Sequence, residues 1–233
     1  MSGPDDPLPR ALRLLWQQDP APSRSRGLTR EAIVAAAVEL ADTDGLAALS
    51  MARLAERLGC GTMSLYRHVA NKDELVTFML ATGPGPPPPK PEGSDWRDAL
   101  SNWAHELWAV YHRHPWILQA ASAGLPADPG QLAWLDAGLA ALSGTGLTER
   151  EKLTAVIAVL VFTRGSAALA IEARDVDDRE YPALLRRLVR PDRFPALAAA
   201  IDAGVFDQTG DDPLAEFRSG LGQLLEGIAA KAG

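Results

Sequence analysis

The stretch SMARLAERLGCGTMSLYRHVANK, residues 50–72, decides how the rest of the chain is interpreted. Ser50 is a typical capping residue, because its hydroxyl can accept an unpaired amide hydrogen of the first helical turn. The apolar residues that follow fall on one helical face, and Gly59 is placed to end that helix, since the residue after a helix often needs a positive φ. After a Cys-Gly turn, Thr62 is predicted to cap a second, short helix. The pattern therefore predicts a helix-turn-helix.

The second helix of this motif is held by few apolar residues. Leu65 and Val69, four positions apart, form its inner side, while its outer side carries hydroxyl groups, a phenol, a guanidinium and an imidazole. These groups can hydrogen-bond to phosphates or base edges, and such a helix can enter a DNA major groove. An ordinary pair of short helices is the alternative. DNA binding is favoured because the turn, the caps and the donor-rich face coincide.

Residues 28–80 closely resemble the DNA-binding domain of the tetracycline-repressor (TetR/AcrR) family of bacterial regulators. The segments that carry the resemblance are LTREAIVAAAVELADTDGLAALSM, LAERLG, GTMSLYRHV and NKDEL, and LYRHV followed by NKDEL is highly specific. The resemblance implies an all-α homodimer, with an N-terminal three-helix helix-turn-helix head and a larger helical ligand-binding and dimerisation body. It further implies DNA contacts from Thr29, Ser50, Thr62, Met63, Ser64, Tyr66, Arg67, His68 and Lys72. Ala52 stands where many relatives carry arginine, so operator preference cannot be copied from them.

Composition and charge limit the classes of protein to consider. The 233 residues are 47% hydrophobic and 23% charged, which is ordinary for a soluble globular protein. A formal net charge of −7 argues against indiscriminate coating of nucleic acid, but not against a sequence-specific reader with a local positive surface. Cys60 is the single cysteine, so an intramolecular disulfide is excluded and a reducing cytoplasm is expected. No basic region precedes a long apolar run, so no secretion signal is expected.

We divide the chain into an arm, a head, a linker and a body. These are residues 1–27, 28–82, 83–94 and 95–233. The arm is rich in Pro, Asp, Ser and Arg and is expected to be mostly disordered, apart from a short helix over 10–16 with Leu12, Leu15 and Trp16 on one side. Arg24 and Arg26 are either an arm for the DNA backbone or minor groove, or part of a solvated tail.

The linker contains GPGPPPPKPEG, residues 83–93. Proline fixes φ and removes an amide donor, so no helix continues through this segment, and an extended, semi-rigid spacer is predicted. It resembles a glycine-rich nucleotide loop only superficially, because no strand precedes it and no helix follows directly.

The body is predicted to be helical throughout. Helices are expected near 96–112, 116–123, 131–142, 148–173, 179–189, 194–203 and 213–230, with Thr148 and Glu151 forming a capping box. Residues 153–171 are almost continuously apolar, but Arg164 near the middle weighs against a membrane span, and no membrane partner is expected. The family resemblance assigns the helices near 148–173 and 213–230 to a homodimer interface. Burial of both within one chain is the alternative.

The resemblance also implies a small-molecule effector, which the sequence does not identify. Trp103 and Leu107 fall where relatives line the pocket, and Trp116, Phe162 and Arg164 are further candidates. Trp103 replaces a polar side chain of tetracycline-binding members, so tetracycline is not the expected ligand. Aromatic residues at helical spacing are also common in ordinary cores.

No cofactor and no metal site are predicted. The body histidines lack the HxxxH or HExxH spacing of metal sites, and the chain shows no nucleophile elbow or phosphate loop, so an enzyme is disfavoured. We predict a ligand-responsive repressor that binds a palindromic double-stranded DNA operator as a homodimer and is released when a small, largely apolar molecule binds the body. An activator, or a ligand-independent DNA-binding regulator of the same fold, is the alternative.

Overall fold

The computed structural model describes residues 8–17, 27–120, 127–173, 180–207 and 212–232. All regular secondary structure in these ranges is helical, which confirms the all-α prediction. The helices are α1 (Arg10–Trp16), α2 (Arg30–Asp44), α3 (Met51–Arg57), α4 (Thr62–Tyr66), α5 (Lys72–Thr82), α6 (Trp96–Arg113), α7 (Trp116–Ala120), α8 (Pro129–Ala141), α9 (Glu149–Glu172), α10 (Tyr181–Leu188), α11 (Pro195–Asp202) and α12 (Pro213–Ala232). Helices α2–α5 form the head and α6–α12 form the body. The predicted arm contacts of Arg24 and Arg26 lie outside the described residues.

Local sequence signals set the boundaries of the head helices. Thr29, Ser50 and Asn71 each precede a helix, and each side chain accepts a hydrogen bond from the backbone N–H three residues later. Gly45 and Gly59 follow α2 and α3 with φ values of 81° and 62°, a region that L-residues rarely adopt. The predicted start at Ser50 and the predicted stop at Gly59 are confirmed.

One predicted cap is wrong. Helix α4 begins at Thr62 itself, and Gly61 occupies the capping position without a side-chain hydrogen bond. The Thr62 hydroxyl therefore does not serve α4, and the residue is exposed. On the inner side of the head, Leu54, Leu65 and Val69 are fully buried, so α3 and α4 are held by the apolar pattern that the sequence indicates.

Helix α1 packs against α5, which the sequence left open. Its inward face differs from the prediction: Ala11 is buried and Leu14 and Leu15 pack on the core, while Trp16 is exposed. Ala11, Leu14 and Leu15 share a face because positions i, i+3 and i+4 of a helix lie together. The Arg10 guanidinium fixes this rotation of α1 by pairing with the Glu74 carboxylate of α5, at an Nη1–Oε1 distance of 2.6 Å.

The body is built around α6. Helices α8 and α9 pack on α6, and α12 packs on α9. Gly138 of α8 permits the close approach, since a Cβ there would lie 2.8 Å from Val156 Cγ1 and 3.2 Å from Trp103 Cε2. Phe217 of α12 stacks on the Trp108 ring with a centroid distance of 4.4 Å. The body core is therefore continuous from α8 to α12.

The long helix α9 begins with the predicted capping box. The Thr148 hydroxyl accepts from the Glu151 backbone N–H, and the Glu151 carboxylate accepts from the Thr148 backbone N–H at 2.9 Å. These hydrogen bonds hold the pKa of Glu151 below its usual value. By length and composition alone, α9 could cross a membrane. In this fold it instead packs along α6 and α12.

The proline-rich spacer contains no helix, as predicted. It does not project freely, because the Trp134 indole Nε1 donates to the Gly85 carbonyl at 3.0 Å. Pro88 and Pro89 line a small recess together with Trp103. The spacer therefore lies on the body surface between α6 and α8.

Candidate functional site: a DNA-contact face and a body cavity

The outer side of α4 exposes four side chains of different chemistry to solvent. Met63 is 75% exposed and Tyr66 is 45% exposed, beside the exposed Thr62 and Arg67. Each of these four residues was predicted to face DNA. A cluster that combines an apolar chain, a phenol, a hydroxyl and a guanidinium can contact thymine methyl groups, base edges and phosphates.

Three predicted contacts are positioned by hydrogen bonds within the head. The Arg67 Nη2 donates to Ser64 Oγ at 3.1 Å, so the guanidinium is held beside α4. The Lys72 Nζ donates to the Leu46 carbonyl at 3.3 Å, which holds the ammonium at the start of α5. His68, the remaining predicted contact on this segment, is half-buried.

The hydroxyls of Thr29 and Ser50 are already acceptors in their helix caps, at 3.2 and 3.3 Å from the amide nitrogens of Ala32 and Arg53. Each hydroxyl still has its own proton, which can be donated to a phosphate oxygen. A capping hydroxyl can therefore bind the DNA backbone without loss of the cap.

Some arginines of the head form ion pairs with neighbouring carboxylates, and Arg67 does not do so within the described residues. Arg53 pairs with Asp44 at 2.7 Å and Arg57 with Glu39 at 2.9 Å, so these arginines are locally neutralised. Arg67 forms no ion pair with any residue that the structure describes. The local positive surface that the sequence predicts is thus placed at the end of α4.

A cavity lies in the body between α6, α8 and α9, with contributions from α5, α7 and the spacer. Its volume of about 290 Å³ is near the lower end of small-molecule sites. Its lining residues are Leu80, Pro84, Trp103, Leu107, Val110, Tyr111, Ile117, Gln131, Trp134, Leu135, Ile157, Leu160, Val161 and Arg164.

Two tryptophans form the aromatic part of the wall. The rings of Trp103 and Trp134 lie 6.3 Å apart at an interplanar angle of 58°. Trp103 Nε1 donates to the Trp134 carbonyl at 2.9 Å, and Trp134 Nε1 donates to Gly85. Because both indole N–H groups are used within the protein, the rings offer apolar aromatic surface to an occupant.

Polar groups in the cavity are few. The Gln131 side chain bonds to Asp128, the capping residue of α8. Burial raises the pKa of Tyr111 to about 12, against a smaller opposite effect of the nearby Arg164 charge. The Tyr111 hydroxyl therefore stays protonated, and a potential donor, at neutral pH.

The structure brings only some of the predicted ligand residues together. Trp103, Leu107 and Arg164 line the cavity, whereas Trp116 and Phe162 do not. Phe162 points to α12, where its ring stacks on Phe217 at a centroid distance of 5.7 Å. Trp116 and Phe162 lie outside this cavity because the rotation of each helix directs these two rings elsewhere, and their predicted ligand contacts stay predictions.

Trp116 instead takes part in a contact between head and body, which we call the Asp42 junction and define by Asp42, His114 and Trp116. Asp42 Oδ1 accepts from Trp116 Nε1 at 2.8 Å and lies 2.7 Å from His114 Nδ1. Trp116 and His114 are only 2% and 8% exposed. One carboxylate of α2 thus holds the end of α6 and the start of α7 against the head.

A backbone contact lies close to this junction. A Cβ built on Gly130 of α8 would lie 2.0 Å from the Ala81 carbonyl oxygen of α5. Only glycine permits this approach. The sequence placed Gly130 in a loop, but α8 begins at Pro129 with Asp128 as its cap, since proline is well accommodated in the first helical turn.

Several residues of the site were missed from the sequence. Trp134 and Tyr111 were not proposed as cavity residues, and Asp42 was not singled out. Spacing gives a partial signal for Tyr111, because it lies four residues after Leu107 on the same helix. No comparable local signal exists for Asp42, whose partners lie 72 and 74 residues away.

The histidines of α6 serve the structure of the body. His105 Nδ1 lies 2.7 Å from the Ser101 carbonyl and His112 Nδ1 lies 3.0 Å from the Trp108 carbonyl, so each nitrogen donates to the preceding helical turn. Across the described ranges, no group of three His, Cys, Asp or Glu side chains is placed to hold a metal ion.

Comparison with known proteins identifies the architecture. Residues 33–77 match the profile of bacterial regulatory proteins of the tetR family, and residues 88–232 match the tetracyclin repressor-like C-terminal domain. The chain belongs to the tetR family. It is therefore a DNA-binding transcriptional repressor in which a head and a body are combined as the sequence resemblance implied.

Relatives and solved structures extend over nearly the whole chain. The transcriptional repressor DrrR1 of Streptomyces coeruleorubidus is 34% identical over 97% of this chain and 87% of its own length. The class A tetracycline repressor of transposon 1721 from Escherichia coli is 31% identical over 85% of this chain and 89% of its own. ActR of Streptomyces coelicolor, solved with (S)-DNPA, is 27% identical with a TM-score of 0.75, covering 89% of this chain and 100% of ActR.

Proposed function

We propose that this repressor binds an inverted-repeat operator as a homodimer and is released when a small, largely apolar molecule fills the body cavity. The observation that carries the proposal is the position of the cavity against α5. Leu80 of α5 and Pro84 of the adjoining spacer belong to the cavity wall. An occupant would therefore touch α5, the last helix of the head, and a displacement of α5 would shift α4, which directly precedes it in the chain.

The junctions between head and body supply a route for the coupling. Asp42 connects α2 to α6 and α7, and Gly130 connects α8 to α5 by direct backbone contact. Packed helices have few alternative arrangements, so a displacement of α5 or α8 by a ligand reorients the head as a unit. Two heads reoriented in this way no longer match half-sites one DNA turn or a multiple apart.

A homodimer through α9 and α12 is supported by the exposed surface of these helices. Leu153, Ile157, Val161 and Leu169 of α9 are all exposed, with Val161 at 62% and Leu169 at 70%. On α12, a Cβ at Gly222 or at Gly227 would meet nothing within 4 Å, so another helix can approach closely there. Pairing with a second copy would remove this apolar surface from water.

The cell compartment and the nature of the effector are further parts of the proposal. We place the protein in the cytoplasm, where operator DNA is accessible and the lone Cys60 thiol remains reduced. ActR has been solved in complex with actinorhodin, which supports a small-molecule effector for a body of this fold. No enzymatic step is included in the proposal.

The operator is tested by selecting bound duplexes from a random DNA pool with purified protein at near-physiological salt. We expect one enriched inverted repeat. Arg67→Ala is expected to lose about tenfold or more in affinity for that repeat, because a base or phosphate contact is removed. Arg193→Ala is the matched control, since Arg193 is an exposed arginine of the body. Folded protein that enriches no repeat contradicts the proposal.

The dimer and the release step need separate measurements. Leu169→Glu is expected to shift sedimentation from dimer to monomer, whereas Leu184→Glu, on the exposed side of α10, leaves the dimer intact. For release, compounds are screened for dissociation of the labelled operator complex. Linkage requires that operator DNA weaken binding of any releasing compound by the same factor by which the compound weakens DNA binding. A compound that fills the cavity and leaves operator affinity unchanged contradicts the coupled mechanism.

A further inference from the structure

The cavity wall contains a cation, Arg164, that no residue in the described part of the chain neutralises. Arg164 of α9 lines the cavity, and the described residues offer it no carboxylate partner. Its Nη2 donates to the Leu118 carbonyl of α7, which orients the guanidinium. A guanidinium has five N–H donors, so most of them remain for another acceptor. Arg164 is half-buried, and an anion bound beside it would form a charge-assisted hydrogen bond in this largely apolar site.

A second donor lies near this cation. Tyr111 of α6 is buried, and the Arg164 charge acts on its phenol by lowering the pKa, against the larger effect of burial. The Tyr111 hydroxyl forms no hydrogen bond to the residues that the structure describes, and Tyr111 belongs to the cavity wall. Arg164 and Tyr111 both line the cavity, so its wall contains two donor groups that are available to an occupant. Such a pair matches an oxyanion better than a neutral carbonyl or an amine.

The two tryptophans of the cavity wall favour an aromatic body for the same ligand. Trp103 and Trp134 present ring surface, and their N–H groups are already bonded within the protein. Leu107 and Leu135 add aliphatic surface beside the rings. Offset and edge contacts with the two tilted indoles stabilise a planar aromatic group more than a flexible chain of equal area.

We propose that the body cavity selects an aromatic anion, in which a carboxylate, sulfonate or acidic phenolate binds Arg164 and Tyr111 and the ring system lies against Trp103 and Trp134. This inference rests on the proposed function, because it names the ligand class of the same cavity. A neutral aromatic leaves the Arg164 charge uncompensated, and a cationic aromatic is repelled by it. Arg164 is thus the residue that determines specificity.

The test uses two fluorescent probes with the same aromatic skeleton. Anilinonaphthalene sulfonate carries an anionic group, and phenylnaphthylamine lacks it. Binding of each probe to the full-length protein is measured by its emission and by energy transfer from the tryptophans. We expect wild-type protein to bind the sulfonate, with a preference over the neutral probe of about tenfold or more, as a charge-assisted pair supplies.

Three variants separate charge from shape. Arg164→Gln removes the charge and is expected to weaken the sulfonate about tenfold while changing the neutral probe less than about threefold. Arg164→Lys keeps the charge and should retain most of the preference. Arg150→Gln is the matched control, because Arg150 is an exposed arginine on the first turn of the same helix. Urea denaturation of each variant establishes that the fold is kept.

The inference is overturned if the sulfonate does not bind, if Arg164→Gln weakens both probes equally, or if Arg164→Lys behaves like Arg164→Gln. It fails separately from the proposed function. A neutral compound that releases operator DNA through the cavity leaves the repressor mechanism intact and removes only the preference for an anion. Absence of operator binding, with the probe preference intact, removes the repressor mechanism and leaves the ligand class.

Discussion

Substitution of Asp42 by alanine tests the contact that joins head and body. The change removes an acceptor shared by two buried donors, Trp116 Nε1 at 2.8 Å and His114 Nδ1 at 2.7 Å. Leaving a buried donor without a partner costs about 1–3 kcal/mol. His114 and Trp116 are 8% and 2% exposed, so the sum for the two donors is about 2–6 kcal/mol of unfolding free energy, reduced by any water that replaces the Asp42 carboxylate, which is 28% exposed. For a chain of this size, at about 2–4 °C per kcal/mol, the expected fall in Tm is roughly 4–24 °C.

Two matched changes isolate the hydrogen bonds. Asp44→Ala removes an exposed carboxylate from the same last turn of α2, together with its ion pair to Arg53, and is expected to cost less than about 1 kcal/mol. Asp42→Asn keeps an oxygen that can accept one hydrogen bond, so its loss should lie between the two alanine variants. Stabilities are compared by urea denaturation with tryptophan emission. If Asp42→Ala and Asp44→Ala differ by less than about 0.5 kcal/mol, which is the usual scatter for surface substitutions, the reasoning about the Asp42 junction is refuted.

Four further outcomes follow from the described contacts. Thr163→Val should raise the free energy of unfolding by about 1 kcal/mol, because the buried Thr163 hydroxyl has no hydrogen-bond partner among the described residues and valine has nearly the same shape. A loss of stability in urea denaturation contradicts this. Gly130→Ala should force α8 away from α5 and lower both Tm and operator affinity, since its Cβ would lie 2.0 Å from the Ala81 carbonyl oxygen. An unchanged Tm together with an unchanged operator affinity would exclude close backbone packing of α8 on α5. Burial raises the pKa of Tyr111 from 10.0 to about 12, so between pH 10 and 12 the unfolded phenol has lost its proton while the folded one keeps it. The unfolding free energy of the wild-type protein should therefore fall by at most about 2–3 kcal/mol across this range, and Tyr111→Phe should lack this fall. Parallel curves of stability against pH for the two proteins contradict the prediction. Arg67→Ala should reduce the salt dependence of operator binding by about one phosphate contact if Arg67 binds the backbone, whereas an unchanged slope with relaxed sequence preference assigns it to a base.

Much of the head could be predicted because its signals are local. A capping hydroxyl such as that of Ser50 bonds to an amide three residues away, and a positive φ at Gly59 depends on one residue. The failed cap at Thr62 shows the limit of this reasoning. Either Gly61 or Thr62 can precede the first helical residue, and which of them does depends on how Leu65 of α4 packs in the head core.

By itself, the sequence determined the helical periods, the caps, the break in the proline-rich spacer and the exposed donors of α4, because each depends on neighbours within about one helical turn. Only the tertiary structure decided that Trp134 and Tyr111 line a cavity while Phe162 does not, and that Asp42 meets Trp116. Such contacts depend on the rotation and crossing of separate helices. Those are set by the simultaneous packing of many side chains, and no spacing within a single helix encodes them.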